Sequence, residues 1–157
     1  MTLVTVAEAS WPAGQTPPGL PGFVLSQFSP LAAATAERCL SQYTEKDLER
    51  TAVILVSTSG DLASAVGVAE AVDAGKRIGP LLFFQSVPNA VAGHIAARHG
   101  LSGPVVSLCP LGEPLDEGLE LAALLIADGD AGSALIVHVE LEPCNAFAVL
   151  VRGGEDL

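Results

Sequence analysis

The stretch "VILVSTSGDLASAVGVAEAV" (residues 53–72) decides the fold class. It opens with a continuous apolar run, Val53–Val56, which is typical of a strand buried on both faces of a sheet. Asp61 follows and can cap a helix that ends near Gly75. The buried stripe predicted for that helix consists of Leu62, Ala65, Val66, Ala69 and Val72. A buried strand that leads directly into a helix is the unit of a parallel sheet.

The same patterns place the other elements on both sides of this unit. We predict strands at residues 3–9, 104–109, 134–139 and 146–151, and helices at Leu31–Cys39, Asn89–Gly100 and from Pro114 onward. Asn89 is the expected cap of the second of these helices, and the last should bury Leu115, Leu119, Ala122, Ala123 and Ile126. A capped turn at residues 44–47 should begin a short helix to Arg50, and Leu81–Phe84 is a short apolar segment.

Residues 12–30 hold five prolines and several glycines, which predicts a surface loop packed by Trp11, Phe23 and Phe28. The resulting order is β-α-β-α-α-β-α-β-β. It indicates an α/β fold with helices on the faces of a mixed five-stranded sheet, the last two strands forming an antiparallel hairpin. With 157 residues, we expect one domain that spans residues 1–157.

Charge and composition exclude several function classes. The formal net charge is -11, and no Lys or Arg lies between Arg98 and Arg152, so a nucleic-acid surface is not expected. The sequence shows no membrane-spanning apolar run and no signal peptide, and we therefore expect a cytoplasmic protein without a membrane partner. Three widely spaced cysteines, Cys39, Cys109 and Cys144, form neither a disulfide framework nor a metal motif.

Few residues are candidates for catalysis. The phosphate-binding, dinucleotide-binding, zinc-protease and serine-hydrolase motifs are absent, and no cofactor or metal is expected. His94 and His99 are five residues apart on one helix, so they do not form a ligand pair. The acidic run Glu113–Glu120 is best interpreted as a solvated helix face. Cys109 and His138 remain weak catalytic candidates, although a buried cysteine or a lone strand histidine is usually structural.

The segment "GPLLFFQSVPNAVAGHIAARHGLSGPVVS" (residues 79–107) resembles the N-terminal half of β-ketoacyl synthases, which have a thiolase fold. The likeness rests on a Pro-Phe-rich segment, an Asn-x-x-Ala-Gly-His motif and a Gly-x-x-Gly-Pro motif. The matching residues are Pro80, Asn89, Ala92, Gly93, His94, Gly100, Gly103 and Pro104. Further downstream, Ile126, Gly129, Asp130 and Ala131 fall on the family's I-x-x-G-D-A motif, and Glu140 falls on the glutamate that closes its G-G-x-E strand.

The resemblance implies that the nucleophile has been lost. In the family the cysteine lies nine residues after the glycine of Gly-Pro, at a sharp strand-to-helix turn, and counting from Gly103 reaches Gly112. Cys109 lies three residues earlier, within the strand. The family also takes two histidines and a lysine from a C-terminal half that has no counterpart in these 157 residues.

The same resemblance implies an interface. In the family the strand that corresponds to residues 104–109 pairs with its dyad mate, and residues like Phe83–Val87 lie near the acyl tunnel. The small residues Ala90, Gly93, Ala96 and Ala97 would allow helices to approach closely. The candidate interface and tunnel residues are Phe83, Phe84, Gln85, Val87, Asn89, Ala90, Gly93, His94, Ala97, Val105, Ser107 and Cys109.

Three functions remain open. The first is a non-catalytic subunit that resembles chain-length factors and pairs with itself or with an active ketosynthase in bacterial type II polyketide, polyene or fatty-acid-like biosynthesis. Its acidic surface fits direct docking of an acidic acyl carrier protein poorly, so a basic partner would recruit that protein. The second is a small isomerase, hydrolase or acyltransferase that acts on carrier-bound or coenzyme A-bound acyl chains through Cys109 or His138. The third is a purely structural stabiliser.

Overall fold

Five strands and five helices follow one another in the computed structural model, which describes residues 1–45 and 47–154. The strands are β1 (Leu3–Ser10), β2 (Thr51–Val56), β3 (Val105–Leu108), β4 (Ser133–Leu141) and β5 (Cys144–Gly153). The helices are α1 (Phe28–Leu40), α2 (Leu62–Asp73), α3 (Pro80–Ser86), α4 (Pro88–His99) and α5 (Pro114–Ala127).

The strands form one mixed sheet in the order β1-β5-β4-β2-β3. Strand β2 lies parallel to both β3 and β4, whereas β5 runs antiparallel to both β4 and β1. The predicted α/β class, the five strands and the closing hairpin are confirmed. Each crossover between parallel strands contains helices, as parallel pairing requires.

Helices cover the two faces of the sheet unequally. Helices α1 and α4 pack on one face over Val53, Leu55, Leu135 and Val137, all of them buried. The opposite face is covered by α5, which packs over Ile54, Val56 and Ile136. Residues that alternate along β2 therefore enter two separate cores, which explains why its sequence is apolar without interruption.

Two close approaches explain glycines on either side of β3. A Cβ atom on Gly103 would lie 2.5 Å from the backbone carbonyl of Thr51, so a glycine is required where the chain enters β3 beside β2. A Cβ atom on Gly118 would lie 2.8 Å from Cγ2 of Ile136, so α5 lies close against the sheet at this point. Gly103 is the glycine of the Gly-Pro motif, and its close packing against Thr51 explains why that position holds a glycine.

The proline-rich loop and its surroundings correct three predictions. The predicted loop 12–30 ends earlier than expected, because α1 begins at Phe28 and takes in Pro30 in its first turn, where a missing N–H has no cost. The predicted short helix before Arg50 is absent from residues 47–50, and Lys46 lies outside the described residues. Leu81–Phe84 belongs to a helix, α3, which adds one helix to the predicted order.

Helix boundaries and buried faces bring three further corrections. Helix α4 begins at Pro88 with Val87 as its cap, so Asn89 lies inside the first turn instead of capping it. Helix α5 buries Gly118 and Ala122, while Leu115, Leu119, Ala123 and Ile126 of the predicted stripe are only partly buried. The largest difference concerns α2, since Ser64 is its only buried residue.

Helix α2 leaves largely exposed the apolar stripe that its periodicity predicts to be buried. Asp61 does cap the helix, because its side chain accepts a hydrogen bond from the Ser64 N–H at 3.1 Å. Leu62, Val66 and Val72, however, are 43%, 48% and 58% exposed. The periodicity correctly predicted a helix with one apolar face, but the described chain covers that face only in part.

Candidate functional site

The turn that leads from β3 into α5 contains Gly112, which lies two residues before Pro114, the first residue of the helix. The carboxylate of Glu117, in the first turns of α5, bends back over this turn. Its Oε1 atom accepts hydrogen bonds from the backbone N–H of Leu111, at 2.9 Å, and from the backbone N–H of Gly112. Glu117 is therefore half-buried and bound, which corrects its assignment to a solvated helix face.

Two successive N–H groups directed at one anion form a nest, the kind of concavity that binds phosphates and developing oxyanions. In this chain the nest already holds the protein's own carboxylate. A Cβ atom on Gly112 would lie 3.1 Å from Glu117 Oε1, so even a small side chain would contact the carboxylate. The turn has neither a nucleophilic side chain at position 112 nor a vacant nest.

Cys109 lies just beyond the last residue of β3 and is exposed. Its thiol donates a long hydrogen bond to the Thr58 carbonyl oxygen, with Sγ 3.6 Å from that oxygen. It lines a cavity of about 320 Å³ together with Ser57, Pro88 and Ser107. The thiol proton, which a nucleophilic cysteine must lose, is therefore engaged in a hydrogen bond to a neutral carbonyl oxygen.

His138 lies on β4 beside Glu140, and the His138 Nε2 atom is 3.4 Å from Glu140 Oε1. This contact is not a hydrogen bond, and His138 Nε2 is buried with no hydrogen-bond partner among the described residues. Glu140 instead accepts hydrogen bonds from the backbone N–H groups of Thr58 and Ser59, the latter at 3.3 Å. Glu140 therefore holds the loop that follows β2.

The two weak catalytic candidates lie near the ends of β3 and β4, and the strand residues Ser107 and His138 lie on opposite faces of the sheet. His138 is two residues from Ile136, so it points to the α5 face. Ser107 points to the α4 face, because its hydroxyl donates to Asn89 Oδ1 at 2.6 Å, and Cys109 is two residues further on. Among the described residues no hydrogen bond joins the thiol to the imidazole: Cys109 bonds to the Thr58 carbonyl, and His138 Nε2 lies 3.4 Å from Glu140 Oε1.

The candidate interface residues are exposed to different degrees. Eight of them are exposed: Phe83, Phe84, Val87, Asn89, Ala97, Val105, Ser107 and Cys109. Gln85 is buried, and its side-chain oxygen accepts a hydrogen bond from the Val24 N–H at 3.0 Å, which ties α3 to the proline-rich loop. Ala90, Gly93 and His94 are half-buried on α4, while Ala96 is buried in the chain's own core and cannot serve in helix approach.

Strand β3 forms one edge of the sheet. The carbonyl oxygens of Pro104 and Leu108 accept hydrogen bonds from β2, at 2.8 and 3.1 Å. Since backbone groups alternate in direction along a strand, the N–H and C=O groups of Val105 and Ser107 point away from β2. Such an edge is a template for another strand.

The histidines of α4 pack against the proline-rich loop. The rings of His94 and Phe23 meet edge to face with their centroids 5.8 Å apart, and Phe23 also contacts Phe84 at 6.1 Å. Burial is the main cause that lowers the pKa of His99 below its usual value of 6.5. The third cysteine, Cys39, is inert, because burial raises its thiol pKa to about 11.

Neither a metal centre nor a membrane segment stands out. Within residues 1–45 and 47–154, no group of three or more histidine, cysteine or acidic side chains could hold a metal ion. Among the helices that the structure describes, none has the length and apolar character needed to cross a bilayer.

Residues 23–151 match the family described as "Beta-ketoacyl synthase, N-terminal domain". This match spans most of the chain. The chain belongs to the β-ketoacyl synthase family. No curated protein matches the sequence.

Solved ketosynthase structures have the same fold. One match is a chain of the complex between the ketosynthase ApeO and its chain length factor ApeC, from Xenorhabdus doucetiae. It has a TM-score of 0.78 and 19% identity, over 98% of this chain and 80% of that chain. The ishigamide ketosynthase/chain length factor matches with a TM-score of 0.71 and 21% identity, over 88% of this chain and 47% of that one.

A β-ketoacyl synthase from Burkholderia phymatum STM815 matches with a TM-score of 0.71 and 14% identity, over 92% of this chain and 47% of the other. This chain therefore spans about half the length of the last two matched chains and most of the first. The mixed sheet is thus the N-terminal half of a thiolase fold, as the motif resemblance predicted.

Two features of the site were missed in the sequence. The Glu117 contact joins residues five and six positions apart across a helix start, and the only signal for it is an acidic residue in the first turns of α5. The bond between Asn89 and Ser107 joins α4 to β3, and residues eighteen apart show no periodic signal.

Proposed function

We propose that this chain is a non-catalytic, chain-length-factor-like subunit that pairs with an active ketosynthase in the synthesis of acyl chains. The observation that carries the proposal is the turn before α5. Its expected nucleophile position is Gly112, and Glu117 occupies the backbone nest beside it. A Claisen condensation needs both a thiolate to carry the acyl group and fixed donors for the developing negative charge.

The unpartnered edge of β3 supports a role in pairing. Val105 and Ser107 present free backbone groups along an edge strand. Beside this strand, α4 carries Gly93, around which a Cβ atom would meet nothing within 4 Å. An edge strand and an adjoining open helix face are suited to a second ketosynthase-like chain that extends the sheet.

The solved structures supply the kind of partner. Two of the similar structures are described as a ketosynthase with a chain length factor, and this chain covers 80% of the matched chain in one of them. A ketosynthase-like chain not much longer than this one thus takes part in that complex. By analogy, we propose that Phe83 and Val87 of this chain line the partner's acyl tunnel, and that a carrier protein docks on the partner.

The test is to mix the purified chain with a ketosynthase from the same genome and to record native mass spectra. We expect a heteromer, and Val105→Pro should weaken it at least tenfold, because it removes an edge N–H without breaking a bond to β2. Ser107→Ala, which removes only the side-chain bond to Asn89, is the matched control. A chain that neither binds the ketosynthase nor changes the length of its products would disprove the proposal, and pairing with itself alone would indicate a homodimer.

A small enzyme acting on acyl thioesters is the alternative. The cavity of about 320 Å³ beside Cys109 favours it, since an exposed thiol lies at its wall. No hydrogen bond among the described residues joins this thiol to His138, however, and the thiol bonds only to the neutral carbonyl of Thr58. Turnover of acyl-thioester probes that is lost in Cys109→Ser would support this alternative over the first.

A further inference from the structure

A cavity of about 250 Å³ lies between the proline-rich loop, α1 and α4. Its inner wall is formed by Pro30 of α1 and Ile95 of α4, which are both buried, together with half-buried Leu20 of the loop. Ala33 and Ala34 of α1 carry only methyl groups, which leaves this space open between the two helices. None of the described residues that line the cavity belongs to β3 or to the turn before α5.

Two opposite charges lie at the outer side of this cavity. Arg98 of α4 donates a hydrogen bond to Glu37 of α1, with Nη2 3.3 Å from Oε1, and both side chains are 56% exposed. The bond uses a single N–H donor of the guanidinium and a single oxygen of the carboxylate. Among the described residues neither side chain has a further partner, so each keeps polar atoms with which to bind a ligand.

Two histidines of α4 complete the lining. His99 is half-buried, and this burial lowers the pKa of its imidazole below the usual value, so the neutral ring offers one donor and one acceptor at pH 7.5. His94 packs edge to face on Phe23, with the ring centroids 5.8 Å apart. Glu37 and Arg98 are the only acidic, lysine or arginine side chains among the described residues that line the cavity, and their charges balance.

This balance of charge indicates the class of ligand. Glu37 repels a simple anion that Arg98 attracts, and Arg98 repels a simple cation that Glu37 attracts. A ligand with an ammonium and a carboxylate group on one carbon atom suits both side chains, and guanidinium groups bind carboxylates especially well.

The inner wall sets the rest of the ligand. Pro30, Ile95 and Leu20 offer apolar surface, where a polar group would lose its hydrogen bonds to water without replacement. A volume of about 250 Å³ lies below the range of pockets that hold drug-sized molecules, so the ligand must be small.

We propose that this cavity binds a small α-amino acid with an apolar side chain. Its carboxylate binds Arg98 and its ammonium group binds Glu37, while its side chain packs against Pro30 and Ile95. Such a ligand contacts the loop and both helices at once, so its binding stabilises the folded chain. The inference does not depend on the proposed function, because the cavity shares no residue with the turn before α5 or with the edge strand.

The test is a titration of the isotope-labelled chain with L-leucine at pH 7.5, followed by NMR. We expect saturable shifts of the Ala34 and His99 amide signals, with a dissociation constant of about 1 mM or below. Isocaproate is leucine without its ammonium group, and isoamylamine is leucine without its carboxylate. Each should bind at least tenfold more weakly, because each satisfies only one of the two charges.

Two pairs of variants locate the site. Ala34→Leu should abolish leucine binding, because the added side chain fills the cavity, whereas Ala97→Leu makes the same change at an exposed position of α4 outside it. Arg98→Gln should weaken binding at least tenfold, while Arg77→Gln makes the same charge change at an exposed position away from the cavity. Both controls should change the dissociation constant less than twofold, and urea titrations verify that all four variants fold.

Three results would overturn the inference. The first is the absence of shifts with both L-leucine and L-phenylalanine. The second is binding of isocaproate as tight as that of leucine, which would show that the ammonium group contributes nothing. The third is undiminished binding to Ala34→Leu, which would place the ligand outside the cavity. None of these results bears on pairing with a ketosynthase, so each proposal can fail without the other.

Discussion

The carboxylate of Glu117 accepts hydrogen bonds from the backbone N–H groups of Leu111 and Gly112, at the turn where the family resemblance expects the nucleophile. The contact places a negative charge where acyl transfer would generate one. A carboxylate at this place opposes both a thiolate and an oxyanion. Both the charge of Glu117 and the absence of a side chain on Gly112 therefore oppose acyl transfer at this turn.

Introducing a cysteine at position 112 tests this charge effect. In a Cys109→Ser/Cys144→Ser background, Gly112→Cys should react slowly with iodoacetamide at pH 7.5, because the nearby carboxylate disfavours the thiolate. Adding Glu117→Gln keeps an acceptor oxygen but removes the charge. It should accelerate alkylation about tenfold, the effect of roughly one unit of thiol pKa.

The control for that experiment is Glu120→Gln, which makes the same charge change on the exposed face of α5. Solvent screens that charge, so alkylation should change less than twofold. Equal rates with and without the Glu117 substitution would show that the carboxylate does not govern the turn.

Cys109 should behave as an ordinary exposed thiol. Its only hydrogen bond among the described residues goes to the neutral carbonyl of Thr58, so no cation activates it there. We expect its alkylation rate at pH 7.5 to lie within about threefold of that of Cys144, the other exposed cysteine. Cys39 should stay unmodified until denaturant is added, because it is buried and its thiol pKa is raised to about 11. A Cys109 rate a hundredfold above that of Cys144 would favour the enzyme alternative.

Sequence patterns predicted the strands well because β2, β4 and β5 are buried, and buried strands consist mainly of apolar residues. The same logic failed for α2, since periodicity shows that a helix has an apolar face but not which molecule covers it. Asn89 illustrates another limit. Its side chain could have capped α4, yet it bonds to Ser107, a choice that depends on where β3 lies.

The turn before α5 was predictable in part. The motif register identified Gly112 as the expected nucleophile position. The contact from Glu117, however, depends on how the chain bends between β3 and Pro114. The interpretation of the acidic run as solvated holds for Glu113, Asp116 and Glu120, which are exposed. A single member of such a run can thus turn inward without any local signal.

Glu140 should contribute to stability through the loop after β2. Glu140→Ala removes the acceptor for the N–H groups of Thr58 and Ser59, and water can replace only part of this at an exposed loop. We expect a loss of about 1–2 kcal/mol in the free energy of unfolding, measured in urea. Glu70→Ala, at an exposed position on α2, should change it by less than about 0.5 kcal/mol. Similar losses in both variants would argue against a specific role for Glu140.

His99 should make the chain less stable in mild acid. Burial lowers its folded-state pKa below 6.5, so the unfolded chain binds a proton more readily than the folded one. The stability linked to this group is present above about pH 6.5 and is lost as the pH falls toward the folded-state pKa. His99→Gln should therefore lose less stability than the wild type between pH 7.5 and pH 5.5 in urea titrations. Parallel curves would show that His99 makes no such contribution.

Alanine substitutions at Gly103 and Gly93 should have opposite effects on stability. A Cβ atom at position 103 would meet the backbone of β2, whereas one at position 93 would meet no other atom within 4 Å. Gly103→Ala would place a Cβ atom 2.5 Å from the Thr51 backbone, which is held in β2 and can yield little, and should cost about 1–3 kcal/mol of unfolding free energy. Gly93→Ala meets nothing within 4 Å inside α4 and should stabilise the chain by about 0.5–1 kcal/mol. Urea titrations of the two variants measure both effects.

The glycine at position 93 is therefore costly to the isolated chain, and a close approach by a partner would explain it. Gly93→Leu should leave the unfolding midpoint near that of the wild type yet weaken the ketosynthase complex at least tenfold, because the added side chain occupies space that the partner needs. Ala97→Leu, at an exposed position one turn further along α4, shows how far that contact extends. An undiminished complex with Gly93→Leu would remove this part of α4 from the interface.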